Sequence, residues 1–234
     1  MKTSEAFLLR KAQYGEADYI LSLFTKDFGS IKGLAKNAKK SRKRFGGRLE
    51  PFVHFRVNFS ERPGGIKFIE DSQVIRVFPS LMEDIALFTW GSFVLENVDI
   101  LLPEEEPNGK MFDLMLETLE ALDLRKNPLA TVLNFQLSAL TLAGYKPNLD
   151  HCVNCRERVE ADSFFSVNRG GVLCYECKED RSNSYVVSRS VLLKQDFSQD
   201  DIEALNHINL LTNFTEYHTG KEIKTSKFLE ELVK

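Results

Sequence analysis

The sequence has no long hydrophobic run, and none of its apolar stretches approaches the roughly 18 residues that a membrane-spanning helix needs. Its first residues, MKTSEAFLLRK, are too poor in apolar side chains and too soon interrupted for a secretory signal. These absences argue against a membrane protein and predict a cytoplasmic one, whose thiols stay reduced.

Groups that catalyse reactions are also scarce. The four histidines (His54, His151, His207 and His218) are scattered, and no nucleophile motif accompanies them. No Gly-x-x-x-x-Gly-Lys phosphate loop is present, so ATP use is not expected. A metal-dependent hydrolase or nuclease needs clustered carboxylates and histidines with an open ligand position, and the sequence shows no such cluster. We therefore expect no enzyme activity; cleavage of labelled DNA in the presence of Mg²⁺ would reveal the hydrolase alternative.

Negative charge is missing between Asp27 and Glu50. Eight cations lie there instead: Lys32, Lys36, Lys39, Lys40, Arg42, Lys43, Arg44 and Arg48. They repel one another unless a polyanion lies beside them. Residues 1–80 contain sixteen Lys and Arg against eight Asp and Glu, although the whole chain has a net charge of −3. The N-terminal part therefore has the electrostatics of a protein that binds a polyanion, and a solvated loop without a partner is the alternative.

Residues 4–77 are predicted to form about five short strands. The segment 53–59 alternates apolar and polar residues, and turn signals separate further strands. The other strand segments are 6–9, 19–24, 30–36, 66–69 and 73–77, with a turn at 63–65. This number of strands fits a small OB-type barrel, and an SH3-like barrel fits nearly as well. Phe45, Phe52 and Phe55 either stack on bases or belong to the barrel core.

From Pro79 onwards the periodicity is that of helices. Residues 80–83 have the form of a capping box for a helix that ends near residue 101, and the acidic segment 103–109 is expected to be an exposed linker. Asn127 with Pro128 predicts a helix start, and Gly144 predicts its end. Three more helices are expected at 188–194, 198–218 and 226–233.

The four cysteines form two Cys-x-x-Cys pairs, with eighteen residues between the pairs. They are Cys152, Cys155, Cys174 and Cys177. This spacing is typical of a zinc ribbon, and residues 164–171 suit the hairpin between the pairs. Four thiolates complete a tetrahedral site without an open position, so the expected Zn²⁺ is structural. His151 is a further candidate for a supporting or substitute ligand. Four free thiols or a thioredoxin-like dithiol is the alternative, but a redox pair lacks its βαβ context here.

Together these features predict an α+β multidomain protein. Residues 1–79 are expected to form a small β-barrel, of the OB type or the SH3-like alternative, that binds a polyanion. Residues 80–150 with 185–234 are expected to form a C-terminal helical domain. Residues 151–184 form a zinc ribbon inserted into that helical domain. A zinc-ribbon RNA-binding or transcription-associated factor would share this layout. Its affinity for single-stranded DNA and RNA, together with a strand-annealing assay, would separate the two.

Several segments together resemble the RecO family of bacterial recombination mediators and DNA repair proteins. They are YGEAD (14–18), LFTKDFG (23–29), the basic segment 33–52, LAGYKP (142–147), the cysteine quartet and the tail 217–229. The match spans nearly the whole chain in the right order. It departs at Asn37, where the family pattern has glycine; if the turn there needs positive φ, Asn is the best substitute for glycine.

The resemblance implies an OB-fold, a helical domain and a zinc-ribbon insert in which zinc acts as a support. It implies binding to single- and double-stranded DNA, annealing of complementary strands, and assistance in loading RecA onto coated single strands. RecR and single-strand-binding protein are then direct partners, RecA is an indirect one, and the protein is associated with the nucleoid. The acidic remainder of the chain is expected to dock proteins. Arg125 and Lys126 are candidate contacts for the acidic tail of single-strand-binding protein.

Overall fold

The computed structural model describes residues 1–62, 66–160, 163–178, 184–188 and 201–232. The chain divides into two compact units, Met1–Arg125 and Lys126–Lys234. The predicted domains 1–79, 80–150 with 185–234, and 151–184 have other boundaries, and that finer division stays a prediction.

Five strands close into a barrel at the start of the first unit, in the order β1-β2-β3-β5-β4. They are β1 (Lys2–Tyr14), β2 (Asp18–Thr25), β3 (Gly29–Ala35), β4 (Val53–Glu61) and β5 (Lys67–Val77), with a four-residue helix α1 (Arg42–Phe45) between β3 and β4. All pairs are antiparallel except β3 with β5, and this confirms the OB-type barrel. The two segments predicted at 66–69 and 73–77 form one strand. At each of two register shifts against β4, strand β5 carries one extra residue (Glu70 and Ile75), so it bends without breaking.

Three helices follow the barrel within the first unit: α2 (Pro79–Glu83), α3 (Ile85–Leu101) and α4 (Gly109–Asp123). The capping box predicted at residues 80–83 is wrong, because the first helix begins at Pro79 and is interrupted at Asp84. The Asp84 carboxylate accepts hydrogen bonds from the N–H groups of Ala86 (3.0 Å) and Leu87 (3.2 Å). A carboxylate is favoured at this place because it satisfies free N–H groups at the positive end of the helix.

Helix α4 covers part of the outer face of the barrel. The ring centroids of Phe7 on β1 and Phe24 on β2 lie 5.5 Å and 5.6 Å from that of Phe112 on α4, and all three rings are fully buried. The neighbouring residues Ala6 and Leu23 face the interior cluster. Both faces of β1 and β2 are therefore buried here, and a one-residue slip in their register would exchange the interior and outer sets of side chains.

The acidic residues 104–106 were predicted to lie in an exposed linker. Their side chains are exposed, but the backbone runs along the barrel edge at β3. The Glu105 N–H donates a 2.9 Å hydrogen bond to the Ser30 carbonyl. A Cβ atom on Gly29 would lie 2.2 Å from the Glu106 carbonyl oxygen, so only glycine permits this approach.

The second unit contains the last helices and a small sheet of order β7-β6-β8. Its elements are α5 (Pro128–Leu142), β6 (Ser163–Ser166), β7 (Gly171–Leu173), a 3₁₀ turn (Tyr175–Cys177), β8 (Ser184–Val187), α6 (Asp201–Thr219) and α7 (Ser226–Leu232). Asn127 caps α5 by accepting from the Ala130 N–H at 3.0 Å, which confirms the predicted start. Gly144, at φ 84°, ends the helix as predicted. The Gln136 amide of α5 donates to the Thr212 hydroxyl of α6 at 3.2 Å.

Part of the sequence-based prediction lies outside the described residues. This applies to the turn at 63–65, to nearly all of the helix predicted at 188–194 and to the helix start predicted at 198. Among the residues that the structure does describe, no helix combines the length and the apolar character needed to cross a membrane.

Candidate nucleic-acid interface and cysteine cluster

The basic loop, residues 36–52, leaves the barrel through a turn tied to the β1–β2 connection. Asn37 has φ 54°, so the turn does need a positive φ, and Asn adopts this conformation more readily than most other residues with a side chain. Its N–H donates to the Asp18 carboxylate at 2.8 Å, and the Lys39 N–H donates to the Ala17 carbonyl at 3.1 Å. These bonds fix the direction in which the loop starts.

Two apolar side chains anchor the middle of the basic loop in the barrel core. Phe45 and Leu49 are only 3% and 4% exposed, and both belong to the interior cluster. Phe52 and Phe55 are buried as well. Phe45 and Phe55 belong to the barrel core, whereas the Phe52 ring packs against Phe88 of α3 with their centroids 5.2 Å apart. None of the three presents a ring for stacking on bases.

Two of the eight predicted DNA-binding cations hold the loop together instead of facing solvent freely. The Arg44 guanidinium donates to the Lys36 carbonyl at 2.7 Å and to the Ser41 hydroxyl at 3.1 Å. Arg48 Nη1 donates to the Ser72 carbonyl of β5 at 2.7 Å. Both side chains therefore satisfy backbone acceptors of the barrel and its loop.

A third predicted cation, Lys32, lies on β3 outside the loop and pairs with Glu104. The remaining five are all exposed: Lys36, Lys39, Lys40, Arg42 and Lys43. Within the described part of the chain, no carboxylate lies at ion-pair distance from any of these five. Five of the predicted cations are thus exposed without a carboxylate partner among the described residues, whereas Lys32, Arg44 and Arg48 contact other groups of the protein.

Two partly exposed aromatic rings lie among these cations, and sequence reasoning missed both. Lys39 and Lys11 place their ammonium groups 5.7 Å and 5.4 Å from the ring centroid of Tyr19. Lys36 and the Arg62 guanidinium lie 5.4 Å and 4.0 Å from the centroid of Phe68. These distances are in the cation–π range. The signal was not readable along the sequence, because strand pairing brings distant residues together.

Arg125, a candidate contact for an acidic tail, donates to the Asp84 carboxylate at 2.8 Å. The guanidinium lowers the pKa of that carboxyl, and the Leu87 N–H acts in the same direction. Arg125 therefore already has an anionic partner at the start of α3.

In the second unit, the sulfur atoms of Cys152, Cys155, Cys174 and Cys177 all lie within 4.8 Å of one another. The Sγ atoms of Cys155 and Cys174 are 3.7 Å apart. A tetrahedron of Zn–S bonds of about 2.3 Å has edges of about 3.8 Å, so the donor set and its spacing fit Zn²⁺. His151 is exposed and does not belong to this group.

The thiols differ strongly in acidity. Burial favours the neutral Cys152 thiol, but N–H groups of Cys155, Cys174 and Asn154 outweigh it and lower the pKa of Cys152 to about 6. The Glu157 N–H favours the Cys155 thiolate, yet the neighbouring sulfurs raise the pKa of Cys155 to about 12. Four thiols this close together cannot all ionise unless a cation lies between them, because the thiolates would repel one another. The cluster therefore favours a bound cation.

Backbone and side-chain contacts hold the two cysteine pairs in place. The Val153 N–H donates to the Val172 carbonyl of β7 at 2.9 Å, which ties the first pair to the hairpin. Gly171 permits this, because a Cβ atom there would lie 2.6 Å from a methyl carbon of Val153. The Asn154 amide donates to the Cys177 sulfur at 3.3 Å and accepts from Arg169 at 2.9 Å. Asn154 thus connects one pair to a ligand atom of the other.

Two family models match the chain and together cover most of it. The model described as "Recombination protein O N terminal" matches residues 1–78, and "Recombination protein O C terminal" matches residues 82–227. The first covers the barrel with its basic loop, and the second spans the cysteine cluster.

Curated relatives named "DNA repair protein RecO" are similar over nearly the full length. The protein of Thermodesulfovibrio yellowstonii is 33% identical over 92% of this chain and 83% of its own. The protein of Dehalococcoides mccartyi is 31% identical over 88% of this chain and 82% of its own length. That of Anaeromyxobacter sp. is 30% identical over 96% and 94%.

Proposed function

Because the chain belongs to the recombination protein O (RecO) family of DNA repair proteins, we propose that it binds single- and double-stranded DNA through the basic loop. The observation that carries this proposal is the set of five exposed cations in the loop, which have no carboxylate partner among the described residues. Phosphate oxygens are the anions that would neutralise them, and the release of counterions from DNA would drive association.

Strand annealing follows from the same charge. Two single strands repel through their phosphates, and a protein that screens both backbones lets complementary bases pair. This step needs no bond-making chemistry. If all five cations contact phosphates of a single strand, log affinity falls with log salt at a slope of about −3.5, since each contact contributes about −0.7.

We further propose that the protein assists RecA loading onto strands coated by single-strand-binding protein, with RecR as a second direct partner. Membership of the family supports these roles. The acidic composition beyond residue 80, fifteen Lys and Arg against twenty-six Asp and Glu, makes that part a poor DNA ligand and favours docking of proteins there.

The four cysteines are proposed to bind one structural Zn²⁺ ion. The tetrahedral spacing of their sulfurs supports this, as do the amide and N–H groups directed at them. Four sulfur ligands leave no coordination position for a substrate, so the ion would brace the second unit.

Strand annealing of two labelled complementary oligonucleotides tests the proposal. We expect a variant with alanine at Lys39, Lys40, Arg42 and Lys43 to lose both annealing and DNA binding at moderate salt, because four of the five exposed charges are removed. The matched control replaces four exposed lysines elsewhere, Lys110, Lys146, Lys221 and Lys224, and keeps annealing. Undiminished annealing by the loop variant would rule out this loop as the DNA-binding site.

A further inference from the structure

A cavity of about 250 Å³ opens between the basic loop and the strands β1 and β2. Tyr19 contributes an aromatic ring to its lining, and the buried side chains of Phe45 and Leu49 contribute apolar surface. Gly46 and Gly47 also border the cavity. Gly47 faces open space, whereas a Cβ atom on Gly46 would lie 2.6 Å from the Arg42 carbonyl oxygen. The cavity is smaller than the roughly 300–1,000 Å³ of pockets for drug-sized ligands, so it suits a single small ring system.

Polar groups line the same cavity. The Glu50 carboxylate lies there, with Lys11 Nζ at 2.8 Å and 2.9 Å from its two oxygens. Each carboxylate oxygen has a second lone pair that can accept from a ligand N–H. The Ser41 hydroxyl, which accepts from Arg44 Nε at 3.1 Å, also borders the opening. A ligand with an apolar flat face and an N–H-bearing edge would match both kinds of surface.

Phosphate-binding charge is adjacent to these surfaces. Lys39 and Arg42 line the cavity, and the Lys39 ammonium lies 5.7 Å from the centre of the Tyr19 ring. A nucleotide combines the same three features at similar separations: a flat ring, amino or imino groups at its edge, and an anionic phosphate. In a duplex the ring is stacked and its edge is paired, so only a single strand offers a free base.

We propose that this cavity receives one unstacked base of single-stranded DNA, against Tyr19, while the exposed cations of the basic loop hold the flanking phosphates. The inference rests on the proposed function and adds a site that distinguishes single strands from duplexes. Base–aromatic stacking tolerates any base, so the site gives a preference for single strands without a strong preference for sequence.

Abasic DNA tests this directly, because it has the phosphates without the bases. The experiment measures the affinity of the whole 234-residue chain for three ligands at one salt concentration. These are a single-stranded oligonucleotide, an abasic strand of equal length and a duplex. The wild-type protein should bind the normal strand about 5- to 150-fold more tightly than the abasic strand, the range that one stacked base provides. Tyr19→Leu should lose most of this preference and keep its affinity for duplex, whereas Tyr19→Phe should keep both.

Two further variants make the outcome decisive. Ser41→Leu narrows the cavity from the loop side and should act like Tyr19→Leu. It also removes the acceptor of Arg44 Nε, so Ser41→Ala, which removes the same acceptor without filling the cavity, is its control and should keep the preference. Lys40→Ala should weaken the binding of all three DNA ligands by similar factors, since it removes only a positive charge. Equal affinity of the wild-type protein for normal and abasic strands would overturn the base site while DNA binding through the loop remained. Failure to bind any of the three ligands would instead refute the proposed function, and the base site with it.

Discussion

Arg48 Nη1 donates a 2.7 Å hydrogen bond to the backbone carbonyl of Ser72, and so joins the basic loop to strand β5 of the barrel. The same nitrogen also lies 3.1 Å from the carbonyls of Lys43 and Arg44 within the loop. Lys40 belongs to the same run of positive charge, but it is exposed, and the described residues include no acidic partner for it. Equal formal charge therefore conceals two different environments: Arg48 contacts the barrel itself, whereas the Lys40 ammonium is exposed and available for the proposed DNA contact.

Arg48→Ala is expected to destabilise the protein by about 1–3 kcal/mol, because it removes a charged donor and leaves a barrel carbonyl without its partner. It should change the salt dependence of DNA binding little. The matched variant Lys40→Ala should alter the free energy of unfolding by less than about 0.5 kcal/mol. It should reduce the magnitude of the salt slope by about 0.7. Urea unfolding and salt titrations of single-strand binding measure both quantities, and a reversed pattern would contradict the division of roles.

The sequence predicted the barrel well because alternation and turn residues are local signals, as in the segment 53–59 of β4. The cysteine cluster was predictable for the same reason, since fixed spacing alone defines each pair. What local pattern could not show is which cations contact the protein itself. Arg44 and Arg48 reach carbonyls of β5 that are more than twenty positions away, and Tyr19 meets the loop only because β2 pairs with β3. Such contacts depend on the closed barrel.

Removal of zinc should unfold the second unit before the first. Metal analysis of the purified protein should give about one zinc per chain, and Cys155→Ser should abolish it, whereas His151→Ala, outside the cluster, should retain it. The single tryptophan, Trp90, lies buried in α3 and reports on the first unit. A strong chelator should therefore change far-UV circular dichroism at a temperature at which Trp90 fluorescence stays native. A zinc content near zero in metal-replete protein would refute the site.

Zinc affinity should fall as the pH is lowered from 8 to 5. With its pKa raised to about 12, Cys155 is protonated throughout this range, so binding of the ion must release its proton. The pKa of Cys174 is also raised, so this thiol releases a second proton. Cys152, with a pKa lowered to about 6, is ionised above that value and becomes protonated below it. The number of protons released, and with it the pH dependence, should therefore increase below pH 6. Competition with a chromogenic chelator at several pH values measures this, and a pH-independent affinity would exclude thiolate ligation.

His54 should make the first unit less stable in mild acid. The imidazole is 4% exposed and stacks on Phe7 at 4.9 Å, and burial lowers its pKa, although the Glu5 carboxylate at 3.1 Å opposes the shift. Because the folded pKa lies below the unfolded value of about 6.5, the unfolded chain takes up the proton first. The stabilisation is thus complete above about pH 6.5 and is lost as the pH falls towards the folded pKa.

The free energy of unfolding, followed by Trp90 fluorescence, should accordingly decrease from pH 7 to pH 5 in the wild-type protein and decrease less in His54→Gln. His207, whose pKa is also lowered by burial, lies in the second unit, so His207→Gln is the matched control and should leave the Trp90 transition unchanged. The carboxyls with lowered pKa, Glu61 and Asp84, titrate below pH 4.5 and contribute little in this window. Parallel pH profiles for the wild type and His54→Gln would mean that His54 takes up its proton equally readily in the folded and unfolded states.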